Sequence, residues 1–154
     1  MSAPTVTRLV EADWRVFATL RLRALTDTLG TGDRQYLEEL AFTAAQLRRR
    51  LRAHAQFALL YGDELVGLIG AQRQSPDVVY LYSLWLEPGV RGRGLGRELV
   101  MAAVDWAATS LGAPDTWTPA LRQSLDLLLA TKFGVTSSLP PLTNELPALN
   151  VISR

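Results

Sequence analysis

Glycines and arginines alternate in one short segment between a strand-like run and a helix-like run. The segment reads LEPGVRGRGLGREL and covers residues 86–99. A helix that begins here would present main-chain N–H groups without intrahelical acceptors, together with a partial positive charge. Glycines at alternate positions let phosphate oxygens approach those amides, and the arginines add positive charge. The pattern therefore predicts a pyrophosphate site.

The spacing of the glycines narrows the class of phosphate ligand. No Gly-Lys-Ser or Gly-Lys-Thr follows, which argues against a Walker-type nucleotide loop. The pattern is G-x-G-x-G, whereas dinucleotide sites carry G-x-G-x-x-G after the first strand. A plain connector between strand and helix is the alternative, but a connector needs neither three glycines nor three arginines. We therefore favour a phosphate ligand of another kind.

Two elements must position this turn. The run Val78–Leu86 is rich in Val, Tyr, Leu and Trp, and its nearly continuous apolarity predicts a central strand covered on both faces. From about Gly94 to Leu111 the apolar residues recur at helical spacing. That predicted stripe consists of Leu95, Leu99, Ala102, Ala103, Trp106 and Ala107.

The first half of the chain predicts a strand, helices and a hairpin. Thr5–Val10 alternates like a strand, and Asp13 is suited to cap the helix that follows. Thr43 and Gln46 have the spacing of a capping box for a helix running to about His54. The first helix is expected to bury Val16, Phe17, Leu20, Leu22, Ala24 and Leu25, a loop to cover Thr26–Asp33, and Tyr36–Leu40 to form a helical turn.

Two apolar runs in the middle of the chain, Phe57–Tyr61 and Leu65–Ala71, predict a hairpin that turns at Gly62 to Glu64. After Leu111 the sequence predicts a short strand at Asp115–Thr118, a helix from Pro119 to about Lys132 and a last strand at Leu149–Ile152. This order of elements predicts one mixed α/β domain over residues 1–154, with helices on both faces of the sheet.

The motif L-x-P-x-x-R-G-x-G-x-G-x-x-L at residues 86–99 resembles the acetyl-CoA motif of the GCN5-related N-acetyltransferase (GNAT) superfamily. The resemblance implies a mostly antiparallel central sheet of about six or seven strands and an acetyl-CoA-dependent N-acetyltransferase. It places pantetheine beside the strand that precedes the motif and the pyrophosphate at the turn. The cofactor-binding residues that it implies are Leu84, Trp85, Leu86, Arg91, Gly92, Arg93, Gly94, Leu95, Gly96, Arg97 and Gln123.

The catalytic groups follow the family pattern less closely. Members often carry a tyrosine that protonates the leaving thiolate, and Ala130 stands at the matching position here. Some members carry a glutamate on the motif strand as general base, and this strand has none. Tyr82 or Ser83 could order a water instead, and Glu38 or Glu39 could reach the acceptor side. These four residues are the catalytic candidates.

Composition excludes several other chemistries. The 154 residues include no cysteine and one histidine, and the formal net charge is +1. Thiolate catalysis and cysteine zinc sites are therefore excluded, no metal is expected, and a protein that coats nucleic acid is disfavoured. The single histidine, His54, suits a helix end structurally. Without a long apolar run or an early cationic run, the sequence predicts a cytoplasmic protein without a signal peptide or membrane span.

Three functions remain open. The leading hypothesis is acetyl transfer from acetyl-CoA to a primary amine, by direct attack in a ternary complex and without a covalent enzyme intermediate. The second is a CoA-binding sensor or scaffold with little catalysis, which Ala130 motivates. The third is a nucleic-acid-binding module, which would depend on the basic run Arg48, Arg49, Arg50 and Arg52. The amine acceptor, a small molecule or a peptide, is not specified by these residues, and a homodimer stays open.

Overall fold

A computed structural model describes residues 3–75, 78–111 and 141–143. These residues form a five-stranded sheet in the order β1-β2-β3-β4-β5, with every neighbouring pair antiparallel. The strands are β1 (Thr5–Leu9), β2 (Ala55–Tyr61), β3 (Glu64–Ser75), β4 (Val78–Leu86) and β5 (Pro141–Thr143). The predicted elements at 115–118, 119–132 and 149–152, and the residues Gln123 and Ala130, lie outside the described residues.

Four α-helices of the described residues cover the two faces of the sheet. They are α1 (Trp14–Thr28), α2 (Arg34–Leu40), α3 (Ala44–Ala53) and α4 (Leu95–Leu111). The helix α4 packs on one face, where its Leu99 and Val100 join Ile69 and Leu81 of the sheet. On the other face α1 and α3 enclose a second core. The α/β class, the antiparallel sheet and the helices on both faces confirm the predicted fold.

Local sequence signals set several of these boundaries. The hydroxyl of Thr43 accepts from the N–H of Gln46 at 3.2 Å, and the side chain of Gln46 accepts from the N–H of Thr43 at 2.8 Å. This reciprocal pair is the predicted capping box, and α3 begins directly after it. Gly62 has φ +65° in the two-residue turn between β2 and β3, as the hairpin requires.

The helix α1 departs from its prediction. Val16 is 43% exposed and Leu22 is half-buried, whereas the charged Arg21 is buried in their place. The helix also continues to Thr28, so the predicted loop begins later. Asp13 stands before α1 as predicted, but its carboxylate accepts from the N–H of Val10 at 2.8 Å instead of capping the helix. A charged side chain can face the core when it pairs with a buried carboxylate. Arg21 therefore departs from the pattern that the apolar residues of α1 predict.

Candidate active site

A β-bulge interrupts β4 just before the glycine-rich turn. Gly70 of β3 pairs with Tyr82, and Leu68 pairs with Trp85, so Ser83 and Leu84 stand opposite Ile69 alone. Ser83 has φ +55°, in the left-handed region that residues other than glycine seldom adopt. A bulge removes main-chain groups from the ladder and increases the local twist. This stretch of β4 therefore has main-chain groups that it can offer to a ligand.

The far edge of β4 is only partly covered by its neighbour. The strand β5 pairs with Val78, Val79 and Tyr80 at the beginning of β4. Within the described residues, no strand pairs with that edge over Leu84–Leu86. The bulge thus lies beside an edge that no described strand pairs, and an extended ligand there could use main-chain N–H and C=O groups of β4.

The glycine-rich turn leads from β4 into α4 with two residues in the left-handed region. Gly92 has φ +81° and Gly94 has φ +76°. A Cβ at either position would meet no described atom within 4 Å. A Cβ at Gly96 would lie 3.6 Å from the Cδ1 atom of Leu86, which is ordinary contact. The helix α4 begins at Leu95, and the N–H groups of its first turn have no acceptor within the helix.

The three arginines of the turn differ in their surroundings. Arg93 and Arg97 are exposed. Arg91 instead folds back: its Nε donates to the carbonyl oxygen of Leu86 at 3.0 Å, and its guanidinium meets the Oδ2 atom of Asp27 at 2.7 Å. The predicted phosphate role of Arg91 stays a prediction, and the structure gives this residue a second task in holding the turn against α1.

Asp27 joins α1 to both β4 and the turn. Its Oδ2 atom accepts from the indole N–H of Trp85 at 2.9 Å as well as from Arg91. The hydrogen bond from Trp85 is the main cause that lowers the pKa of Asp27, and Arg91 adds to it against the opposing effect of burial. Asp27 therefore stays ionised. It borders an open cleft of about 520 Å³, which is lined by Thr19, Leu22, Arg23, Thr26, Asp27, Trp85 and Glu87.

The two glutamates among the catalytic candidates have different surroundings. Glu38 is exposed and pairs with Arg34 one turn earlier, at 2.8 Å. Glu39 is buried and accepts from Arg21 through both carboxylate oxygens, at 2.9 and 3.1 Å, and from Gln35 and Arg50. Burial alone would raise the pKa of Glu39, but the arginines outweigh it and the pKa is lowered. A carboxylate held this way is a weak proton acceptor, which argues against Glu39 as the base, whereas the catalytic role of Glu38 stays a prediction.

Tyr82 lies in a polar cluster that the sequence did not predict as a unit. Its hydroxyl oxygen is 2.5 Å from Nδ1 of His54 and 2.6 Å from Nε2 of Gln56. The two rings meet edge to face, with centroids 5.6 Å apart. Gln56 was the one indication of this cluster in the sequence, because a polar residue inside the apolar run AQFALLY requires a buried partner. Nothing in the sequence indicated that the partner is Tyr82.

Most arginines of the basic run on α3 contact other side chains of this protein. Arg50 pairs with Glu39 at 2.9 Å, and Arg52 pairs with Glu11. The guanidinium of Arg48 lies over the ring of Trp14, 5.5 Å from its centroid. These contacts weaken the nucleic-acid hypothesis, because that role needs arginines turned together toward a phosphate backbone.

The described part of the chain holds no group of three or more side chains arranged to bind a metal ion. Within residues 3–75, 78–111 and 141–143, no helix is long and apolar enough to cross a membrane.

Solved structures with this fold include several acetyltransferases. An aminoglycoside acetyltransferase from an uncultured soil metagenomic sample superposes with a TM-score of 0.59 and 20% identity, over 70% of this chain and 74% of that one. The PaiA N-acetyltransferase of Thermoplasma acidophilum, solved with coenzyme A, gives 0.54 and 15%, over 68% and 71%. A second soil metagenomic aminoglycoside acetyltransferase, solved with sisomicin, gives 0.55 and 21%, over 84% and 88%.

Comparison by sequence alone gives two results. No curated protein matches the chain. The family profile described as the acetyltransferase (GNAT) family matches residues 14–127, which include the bulged strand, the glycine-rich turn and α4. The chain therefore belongs to the acetyltransferase (GNAT) family, the acetyl-CoA-dependent N-acetyltransferases.

Proposed function

We propose that this protein transfers an acetyl group from acetyl-CoA to a primary amine by direct attack in a ternary complex, with the pyrophosphate at the turn between β4 and α4. The observation that carries the proposal is the geometry of this turn. Gly92 and Gly94 adopt left-handed conformations directly before the first N–H groups of α4, and no described atom lies within 4 Å of a Cβ built at either one. Unpaired amides and a helix N-terminus together favour an anion.

The bulge in β4 supports the second half of the proposal. Pantetheine would extend along the edge of Leu84–Leu86, which no described strand pairs. A main-chain N–H released from the ladder near Ser83 could then polarise the thioester carbonyl. Such a fixed donor stabilises the oxyanion of the tetrahedral intermediate, a contribution that is often among the largest in acyl transfer.

The acceptor would approach from the face that α1, α2 and α3 cover. Tyr82 and Trp85 lie on this face, and the cleft beside Trp85 and Asp27 opens next to it. Two acetyltransferases with this fold are named for aminoglycosides, which carry several primary amines. Aminoglycosides therefore belong in an acceptor panel, together with polyamines, amino acids and peptides.

A panel of amines with acetyl-CoA, read by the release of free thiol, tests the function. We expect release to depend on at least one acceptor. CoA binding without release for every acceptor class would instead favour the sensor or scaffold, which binds the same cofactor without turnover. Calorimetry with CoA tests the site separately: Arg93→Glu should weaken binding, and Gly94→Val should weaken it further. Unchanged affinity in Gly94→Val would refute the assignment of the turn.

A further inference from the structure

The tautomer of His54 sets the direction of the hydrogen bond that it shares with Tyr82. Nε2 of Gln56 can only donate, so the hydroxyl oxygen of Tyr82 accepts at 2.6 Å. The hydroxyl proton of Tyr82 is then available to Nδ1 of His54, 2.5 Å away. In this arrangement Nδ1 is the acceptor, so His54 is neutral and carries its proton on Nε2. A phenol oxygen accepts more than one hydrogen bond, so Tyr82 can still receive one from a bound amine.

The charges around the pair keep His54 neutral. Burial lowers the pKa of His54, and the positive charge of Arg50 on α3 lowers it further. Burial raises the pKa of Tyr82, so this hydroxyl keeps its proton and cannot act as a base alone. Arg21 on α1 and Glu39 on α2 also face Tyr82, but they are paired with each other. The proton acceptor of the cluster is therefore the imidazole.

The fold holds the ring of Tyr82 at a fixed place beside the bulge. Tyr82 directly precedes Ser83, whose main chain the proposed function places near the thioester. A Cβ at Gly70 would lie 2.4 Å from Cζ of Tyr82, so the missing side chain makes the space that the ring occupies. Gly70 thus makes room for the ring, and Gln56 and His54 hold its hydroxyl oxygen.

We propose that Tyr82 and His54 form a proton relay that deprotonates the attacking amine, an inference that rests on the proposed function. The nitrogen lone pair bonds to the thioester carbon, and the C–S bond breaks with its electron pair on the CoA sulfur. One N–H proton passes to the oxygen of Tyr82 while the proton of Tyr82 passes to Nδ1 of His54. His54 becomes an imidazolium that returns its proton to solvent, and the thiolate is protonated by water.

Nuclear magnetic resonance tests the geometry without any turnover. His54 is the only histidine, so its ring signals need no assignment by mutation. In the wild-type protein at pH 7.5 we expect the neutral tautomer with the proton on Nε2. We expect Tyr82→Phe to change the Nδ1 shift and the titration of His54. The matched control is Tyr61→Phe, which removes the hydroxyl of another half-buried tyrosine, at the far end of β2, and should change neither.

Kinetics tests the role in proton transfer, with an acceptor that the panel identifies. Loss of a positioned acid–base group typically costs about 10²-fold or more in rate. We expect Tyr82→Phe and His54→Gln each to lower kcat about 100-fold with unchanged CoA affinity, and the double variant to fall no further than the worse single one. We also expect the acid limb of the wild-type pH profile to follow the titration of His54 and to vanish in His54→Gln.

The outcomes separate this relay from the proposed function. If the wild-type protein releases thiol but Tyr82→Phe keeps more than half of wild-type kcat, the relay is overturned and the acetyl transfer stands. An Nδ1–H tautomer of His54 in the free protein would also overturn it. If no acceptor supports thiol release, the proposed function itself fails, whatever the tautomer of His54.

Discussion

Two regions of the molecule differ in how far their hydrogen-bonding groups find partners within the described protein. One is the polar cluster around Glu39 and Tyr82, and the other is the glycine-rich turn before α4. In the cluster, Glu39 alone receives four N–H donors from three side chains, because buried polar groups must find partners inside the protein. At the turn, a Cβ at Gly92 or Gly94 would meet no described atom within 4 Å. The comparison teaches that folding satisfies the polar groups of the cluster, whereas the proposed function leaves those of the turn to a ligand.

The largest expected effect is the loss of the buried carboxylate. Glu39→Ala would leave Arg21, whose side chain is 9% exposed, as an unpaired buried charge. Such a loss typically costs about 3–5 kcal/mol of the free energy of unfolding. Urea denaturation measures it, with Glu38→Ala as the matched control, because the exposed pair with Arg34 contributes only about 0.3–0.5 kcal/mol. Equal losses in the two variants would contradict the distinction between buried and exposed pairs.

A methyl group at Gly70 should have the next largest effect. In Gly70→Ala the new Cβ would stand 2.4 Å from the ring of Tyr82, so the ring must move. Overpacking of this kind costs about 1–3 kcal/mol, and displacement of the ring should also alter the tautomer signal of His54. Gly89→Ala is the control, since a Cβ there meets nothing within 4 Å. An unchanged Tm and an unchanged His54 signal in Gly70→Ala would show that the ring is not held as described.

Acidification should destabilise the protein through two groups of the polar cluster, His54 and Glu39. The folded state lowers the pKa of His54 and of Glu39, so the unfolded chain binds protons more readily at both positions. The free energy of unfolding should therefore fall as the pH drops below about 6.5, first through His54 and then, below about 4.5, through Glu39. Denaturation at a series of pH values measures this slope, and His54→Gln should lack its first part. A stability that rises on acidification from pH 7 to 5 would contradict it.

The smallest expected effect concerns the contact between Asp27 and the turn. Asp27→Asn keeps an acceptor for the indole of Trp85 and removes the charge that holds Arg91. A partly exposed pair contributes about 0.2–1 kcal/mol, so the loss of stability should be small. The released guanidinium becomes available to phosphate, and CoA should bind about two- to five-fold more tightly by calorimetry. Weaker CoA binding in Asp27→Asn would show that Arg91 only holds the turn against α1 and does not contribute to phosphate binding.

The features that the sequence predicted are local ones. The capping box of Thr43 and Gln46 spans three residues, and the turn at Gly62 spans two, so their geometry follows from neighbours along the chain. The strand before the glycine-rich turn and the helix after it were equally predictable, because each has a strong period of its own. The fold class followed from the order of such elements.

The features that the sequence did not predict depend on distant partners. His54 meets Tyr82 across 28 positions, and Asp27 meets Arg91 across 64. Arg21 faces inward because it pairs with Glu39 on α2. The periodicity of α1 cannot indicate a partner on another helix. The bulge at Ser83 lacks the glycine that often marks such a site. The sequence therefore predicted an ordinary strand there, without a left-handed residue.

The most direct test of the turn is CoA binding to Gly94→Ala. Gly94 has φ +76°, and a Cβ there would meet no described atom within 4 Å. If the pyrophosphate lies above this glycine, the added methyl intrudes on it. Gly62→Ala in the hairpin turn is the matched control, since Gly62 has φ +65° and equally open space, so both variants carry left-handed backbone strain. We expect CoA affinity by calorimetry to fall about ten-fold, about 1.4 kcal/mol, in Gly94→Ala and to stay at the wild-type value in Gly62→Ala. Wild-type affinity in Gly94→Ala would contradict the account.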